Sequence, residues 1–288
     1  MEHLLGFAPL ALRYDGFILD LWGVIHDGIE AFPEAVDCLR RLRATEKPAL
    51  LLSNVPRPNA SVQAMLRRMG IADDLYAALL TSGEAVRRSL IDPPDLWWAE
   101  LGQRVFHLGP ERDRGVVEGL PLRRVELPKD ADFVLNTGPD DYRNPTDIRV
   151  FEPVLVECAQ YSLPMICANP DLEVIRGGVR VLCAGALALR YKMLGGDVRS
   201  LGKPDPAIYQ PVLEALRLPP GRVLAVGDAL RTDIAGAAAA EVDACWVLGG
   251  LHGAELRGPD GFLDVGKANA EADAVGLTPV AAIPRFVW

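Results

Sequence analysis

The sequence predicts an α/β protein: a doubly wound parallel sheet with a second α/β domain inserted into one of its loops. Two observations carry this expectation. Short, continuous apolar runs alternate with segments of helical periodicity, the pattern of strands covered by helices on both faces. The alternation breaks off near residue 84 and resumes near residue 184, so the flanks read as one sheet and the middle as an insertion. With 288 residues the chain is long enough for two such domains. The core is placed at 1–83 and 184–288, and the insert at 84–183.

The elements follow in order. "FILDL" reads as a buried strand, and "FPEAVDCLRRL" as a helix with Pro33 in its first turn. "PALLLSN" is a second strand, and "NASVQAMLRRMG" a helix with Asn59 as its N-cap and Gly70 closing it. In the insert, "RVFHLG", "DFVLNTG" and "LPMICANPD" are strand candidates, and "PTDIRVFEPVLVECAQ" is the clearest helix. The paired Trp97-Trp98 reads as packing at its edge, because adjacent aromatics chiefly supply buried area. Beyond the insert, "DPAIYQPVLEALRL" is a helix opened by Asp205 and Pro206 and bent or delayed by Pro211. "RVLAVGD" is a strand, "TDIAGAAAAEV" a helix capped by Thr232, and "ACWVLGG" another strand.

Composition narrows the function. A net charge of −9 argues against nucleic acid or an anionic membrane as partner, since both require basic surface. It leaves room for a small anionic ligand at a local site. No apolar run is long enough to span a bilayer. The first residues carry neither a basic segment nor a small-residue cleavage site. The five cysteines, Cys38, Cys158, Cys167, Cys183 and Cys245, form no C-x-x-C pair, which points to reduced thiols and a cytoplasmic setting.

The chemistry sits at the strand ends. Three apolar runs of the core finish on a polar residue: Asp20, Ser53 and Asp228. Ligands of open parallel sheets bind beyond the carboxyl ends of the strands, so these side chains should share one crevice with Lys203 of "LGKPDP". Their types fit phosphate chemistry. Carboxylates are hard ligands suited to Mg²⁺, a hydroxyl and an ammonium hold phosphate oxygens, and an aspartate can act as a nucleophile toward phosphorus. Two anions in one crevice imply a cation between them.

The order Asp20-x-x-Gly23-Val24, Ser53-Asn54, Gly202-Lys203-Pro204 and Gly227-Asp228-x-x-x-Thr232-Asp233 resembles the four motifs of the haloacid dehalogenase superfamily. An insert between the second and third motifs resembles the subfamily IIA class with a large α/β cap, which holds nitrophenyl-phosphatase-like, nucleotide and pyridoxal-phosphate phosphatases. "TSGEAV" leading into the insert, "ANPD" late in it and "GALAL" on leaving it match that class. The resemblance implies a Rossmann-like core and a Mg²⁺-dependent phosphohydrolase acting on a small phosphorylated metabolite through an aspartyl-phosphate. Asp20 would be the nucleophile and, with the Trp22 carbonyl and Asp228, a metal ligand. Ser53 and Asn54 would bind the phosphoryl group, Lys203 would screen its charge, and Asp233 would hold a metal-bound water or orient the loop. Asn169 and Asp171 of the cap would face the substrate. Caps of this class often mediate dimers, so the resemblance points to a homodimer.

One position departs from the family pattern. Two residues after the nucleophile, most phosphatases of the superfamily carry a second Asp as general acid and base; here it is Trp22. Its carbonyl can still ligate metal, but its indole can neither deliver nor accept a proton near neutral pH. Losing a positioned acid–base group typically slows a reaction by about 10²–10⁴-fold. The sequence therefore predicts slow turnover, or turnover selective for good leaving groups. Trp22 would then serve as an apolar wall or stacking surface. His26 and Asp27 could replace the lost group or simply shape the loop. The rival reading is a catalytically impaired phosphate-ligand binding or regulatory protein on the same scaffold.

Overall fold

The computed structural model describes residues 1–258 and 261–288, which form two compact units. The first comprises Met1–Ser53, Gln63–Leu80 and Lys203–Trp288. Its seven strands run, across the sheet, 2–3, 281–283, 243–247, 223–227, 16–19, 49–53 and 78–81. Gly16–Leu19 and Val223–Gly227 are parallel neighbours, with Phe17 opposite Leu224 and Leu19 opposite Val226. Both strands are buried along their whole length, which explains their uninterrupted apolar sequences. From this pair the sheet grows outward in opposite directions, through 49–53 on one side and 243–247 on the other. Their shared carboxyl ends are thus the topological switch point, where such sheets bind ligands.

The second unit comprises Asn54–Val62 and Thr81–Gly202. It holds a five-stranded parallel sheet in the order 198–200, 165–167, 133–136, 104–108 and 123–125. A hairpin of Glu173–Arg176 and Val179–Leu182 turns at Gly177-Gly178, both at positive φ, as a two-residue turn requires. The unit extends past residue 183, where the sequence reading ends the insert. The helix Ala184–Met193 packs Leu187, Ala188 and Tyr191 into this unit's core with Phe151, Leu155 and Met165. Val198–Ser200 pairs with Met165–Cys167.

Two expected caps are placed differently. Thr232 does not open its helix; it lies inside a π-helical turn, Leu230–Ile234, that precedes the α-helix Ala235–Ala239. Asp205 caps only a 3₁₀ turn, accepting from the Ala207 N–H (2.9 Å), and the α-helix begins at Gln210 with Pro211 in its first turn. Proline fits there because the first N–H groups of a helix have no internal partner. Among the described residues no helix is long and apolar enough to cross a membrane.

Candidate active site

Asp20 follows directly on the Gly16–Leu19 strand, and its N–H donates to the Val226 carbonyl (2.9 Å), stitching it to the strand that ends before Asp228. Ser53 is the buried last residue of the next strand. Lys203, only 3% exposed, is the buried cation. Its ammonium donates to Asp20 Oδ1 (2.6 Å), Asp233 Oδ1 (2.5 Å) and the Leu52 carbonyl (3.1 Å). Asp20, Asp228 and Asp233 are all buried and offer oxygens that lie within 4.8 Å of one another.

Each carboxylate is held from behind. Asp228 Oδ2 accepts from the Leu251 N–H (2.7 Å), and the Asp228 carbonyl accepts from the Trp246 indole N–H (2.9 Å). Gly23 and Gly250 press against the same carboxylate, where a Cβ on either would overlap its atoms. Gly23 also holds a φ of 78°, which a side chain would disfavour. Asp233 Oδ2 accepts from the Ala229 N–H (3.0 Å), and a Cβ on Gly227 would overlap the Asp233 side chain. The π-helical turn makes this possible: the N–H groups of Asp233 and Ile234 both donate to the Ala229 carbonyl, swinging Asp233 back toward the strand end.

The electrostatics are unbalanced. Three carboxylates crowd around one ammonium in a buried space. Burial, followed by the charges of Asp20 and Asp233, pushes the Asp228 carboxyl well above its ordinary range. An all-oxygen donor set of crowded carboxylates fits a hard divalent cation. Asp20 and Asp228, with Asp233 beside them, are the residues able to hold it.

Trp22 stands in the loop after Asp20, locked by its neighbours. Its ring meets the His26 imidazole edge to face, at 5.8 Å between centroids and 68°, and a Cβ on Gly28 would run into the indole. The Gly23 N–H donates to the His26 carbonyl (2.8 Å), and the Gly28 N–H to His26 Nδ1 (3.0 Å). That second bond puts the ring proton on Nε2, a buried atom without a hydrogen-bond partner among the described residues. Burial pushes the His26 pKa down to about 4, so the ring is neutral at pH 7. Asp27 Oδ1 accepts from the N–H groups of Ile29 (2.8 Å) and Glu30 (2.9 Å), an Asx-type turn on an exposed loop. These bonds hold its carboxyl below the usual range. Both residues are engaged in shaping the loop.

The structure therefore brings Asp20, Lys203, Asp228 and Asp233 together, and places Ser53 next to the carbonyl that Lys203 grips. Asn54, Asn169 and Asp171 belong to the second unit. There the Asn54 amide donates to Asp171 Oδ1 (2.9 Å), and the Asp171 N–H donates to Asn169 Oδ1 (3.0 Å). Gly250 and the Leu251 N–H escaped the sequence reading. Their signal was the Gly pair closing "ACWVLGG", which reads simply as a turn.

The site is a buried acid cluster at the switch point of a doubly wound sheet, in a chain that carries a second α/β unit. The chain belongs to the haloacid dehalogenase-like hydrolases: that family's model matches residues 17–123, and a related hydrolase-like model matches residues 200–265. It is 30% identical to chronophin of Bos taurus over 239 residues, covering 77% of each chain. A haloacid dehalogenase-like hydrolase from Brucella suis 1330 superposes with a TM-score of 0.83 at 33% identity, over 99% of this chain and 100% of that one. The glycerol phosphate phosphatase of Mycobacterium tuberculosis, solved in complex with calcium, matches with a TM-score of 0.61 at 25% identity, over 84% and 68%.

Proposed function

We propose that the protein is a Mg²⁺-dependent phosphatase that hydrolyses a small phosphorylated metabolite through an aspartyl-phosphate on Asp20. The observation that carries this reading is the meeting of Asp20, Asp228 and Asp233 within 4.8 Å beside the buried Lys203 ammonium. Asp20, Asp228 and the Trp22 carbonyl would hold the cation, with Asp233 in support. When bound, Mg²⁺ would neutralise the crowded carboxylates and draw charge from the phosphate oxygens. The calcium complex of the mycobacterial phosphatase supports a divalent site in this family.

The chain's own groups divide the remaining work. The Asp20 carboxylate attacks phosphorus, and the bond from phosphorus to the leaving oxygen breaks. Lys203 aims Asp20, and with the Ser53 hydroxyl holds the phosphoryl oxygens. Water then attacks phosphorus, the acyl-phosphate P–O bond breaks, phosphate leaves and the carboxylate is restored. At position 22, where the family resemblance calls for a proton donor, the indole offers only a donor that stays protonated. The leaving oxygen must therefore depart largely unassisted, which favours aryl and acyl phosphates over alkyl ones. The second unit, as an inserted cap, would select the substrate. Five buried, unpaired thiols support a cytoplasmic setting.

The test is turnover of aryl and alkyl phosphates with Mg²⁺ and with chelator, using Asp20→Asn as control, together with a search for acid-labile phosphate on Asp20. The expected result is Mg²⁺-dependent hydrolysis that favours aryl phosphates and is absent in Asp20→Asn. Equal rates on both substrate types would refute the leaving-group argument. Binding of phosphate esters without turnover, even of an aryl phosphate, would favour a binding or regulatory protein instead.

A further inference from the structure

Three stretches of the sequence have no part in that catalytic reading: "TSGEAV", "ANPD" and "GALAL". Within the second unit, all three support the segment that follows Ser53. From the first, the Gly83 N–H donates to the Val55 carbonyl (3.1 Å), and a Cβ on Gly83 would overlap the backbone of Pro56 and Arg57. From the second, the Asp171 carboxylate accepts from the Asn54 amide at 2.9 Å, across 117 residues of chain. From the third, the Gly185 N–H donates to the Asp171 carbonyl (3.1 Å), and a Cβ there would overlap the carbonyls of Pro170 and Asp171. Asn169 Oδ1 in turn takes the Asp171 N–H (3.0 Å), fixing the tight loop from which the carboxylate projects. The far end of the Asn54 amide is confined as well: Gly202, at a φ of 134°, lies so near Asn54 Oδ1 that a Cβ would overlap it.

We propose that Asp171 is a positioning residue that acts through Asn54, orienting the amide of the residue next to Ser53 without meeting the substrate itself. This rests on the phosphatase reading and departs from the role that family resemblance gives Asp171. The charge argument favours it. A carboxylate facing a phosphate dianion is repelled, whereas a carboxylate accepting from an amide fixes which end of Asn54 donates and which accepts. The glycines are then explained by the close approach they permit, and they need no role in binding.

The test is a double-mutant cycle on the full chain with Asn54→Ala, Asp171→Ala and the pair, plus Asp171→Asn. It is read as kcat and KM for 4-nitrophenyl phosphate, as the affinity for inorganic phosphate, and as the thermal midpoint. Asp171→Ala should lower kcat/KM about ten- to a hundredfold, the range for losing a hydrogen bond to a charged group. It should weaken inorganic phosphate in parallel, and the double variant should be no worse than Asn54→Ala. Asp171→Asn, which keeps an acceptor oxygen, should recover most of the loss. Multiplying losses in the double variant, or an Asp171→Asn as impaired as Asp171→Ala, would overturn the proposal. If the wild type turns over no phosphate ester, the phosphatase reading fails, and the same cycle read on inorganic phosphate still decides the role of Asp171.

Discussion

Replacing Asp228 by Asn should stabilise the metal-free protein while abolishing its response to divalent cations. Asp228 lies with its oxygens within 4.8 Å of those of both Asp20 and Asp233. At an effective dielectric of about 20, each such repulsion between unit charges is worth about 3 kcal/mol. Burial and the two charges push the Asp228 carboxyl well above its ordinary range, which favours proton uptake and relieves part of this repulsion. That relief sets a ceiling: holding a carboxyl neutral at pH 7 against an unfolded value near 3.8 costs at most about 4 kcal/mol. Asparagine keeps an acceptor for the Leu251 N–H and nearly the same volume, so the expected gain is about 1–4 kcal/mol. The sign with pH follows from the raised value. The contribution of Asp228 to stability is fully present below its unfolded pKa and is lost as pH rises through the folded one. The gap between variant and wild type should therefore widen from acid toward neutral pH. Urea unfolding at several pH values, in chelator and then in MgCl₂, measures both quantities. Saturation at about 100 times Kd should stabilise the wild type by about 2.7 kcal/mol, and the variant much less. An Asp228→Asn protein less stable than wild type in chelator would refute the electrostatic account of this site.

Three further outcomes follow from single contacts. Gly250→Ala, whose Cβ would overlap the Asp228 carboxylate, should lower kcat/KM about a hundredfold by displacing it, with the fold intact by circular dichroism. Lys203→Met removes the ammonium that bridges Asp20 and Asp233, so it should cost about 3–5 kcal/mol in chelator by urea unfolding, and added Mg²⁺ should restore part of that. The buried His107, whose pKa burial pushes down to about 4, is neutral in the fold; its share of stability is present above about 6.5 and lost as pH falls toward 4. Between pH 8 and pH 5 the wild type should lose about 2 kcal/mol that a His107→Gln variant does not, by the difference in the two unfolding-versus-pH slopes.

How much of this was legible in the sequence depended on whether the signal was local. Gly16–Leu19 and Val223–Gly227 were legible because a strand buried on both faces must be continuously apolar, and Asp20 and Asp228 stand out as the residues that end such runs. Val198–Ser200 was not: three half-buried residues, one of them Arg199, make no apolar run, and only pairing with Met165–Cys167 reveals a strand. The π-helical turn at Leu230–Ile234 was hidden for another reason. Thr232 has the chemistry of an N-cap, and nothing in its neighbours says that the chain instead winds wider to turn Asp233 toward Lys203. Asn54 and Asp171 were each legible as site candidates, but a hydrogen bond across 117 residues leaves no local trace.

The loop around Trp22 shows what an acid at that position, as the family resemblance calls for, would displace. The indole is enclosed by Gly28 on one side and the neutral His26 ring on another, and the His26 carbonyl holds the Gly23 N–H of the turn that packs on Asp228. Trp22, half-buried, thus packs together with His26, Gly28 and Gly23 in one loop. An Asp introduced at position 22 would lose that packing and place a new charge beside an already crowded acid cluster. The residues around Trp22 are matched to an indole: a Cβ on Gly28 would run into the ring, and the His26 imidazole meets it edge to face.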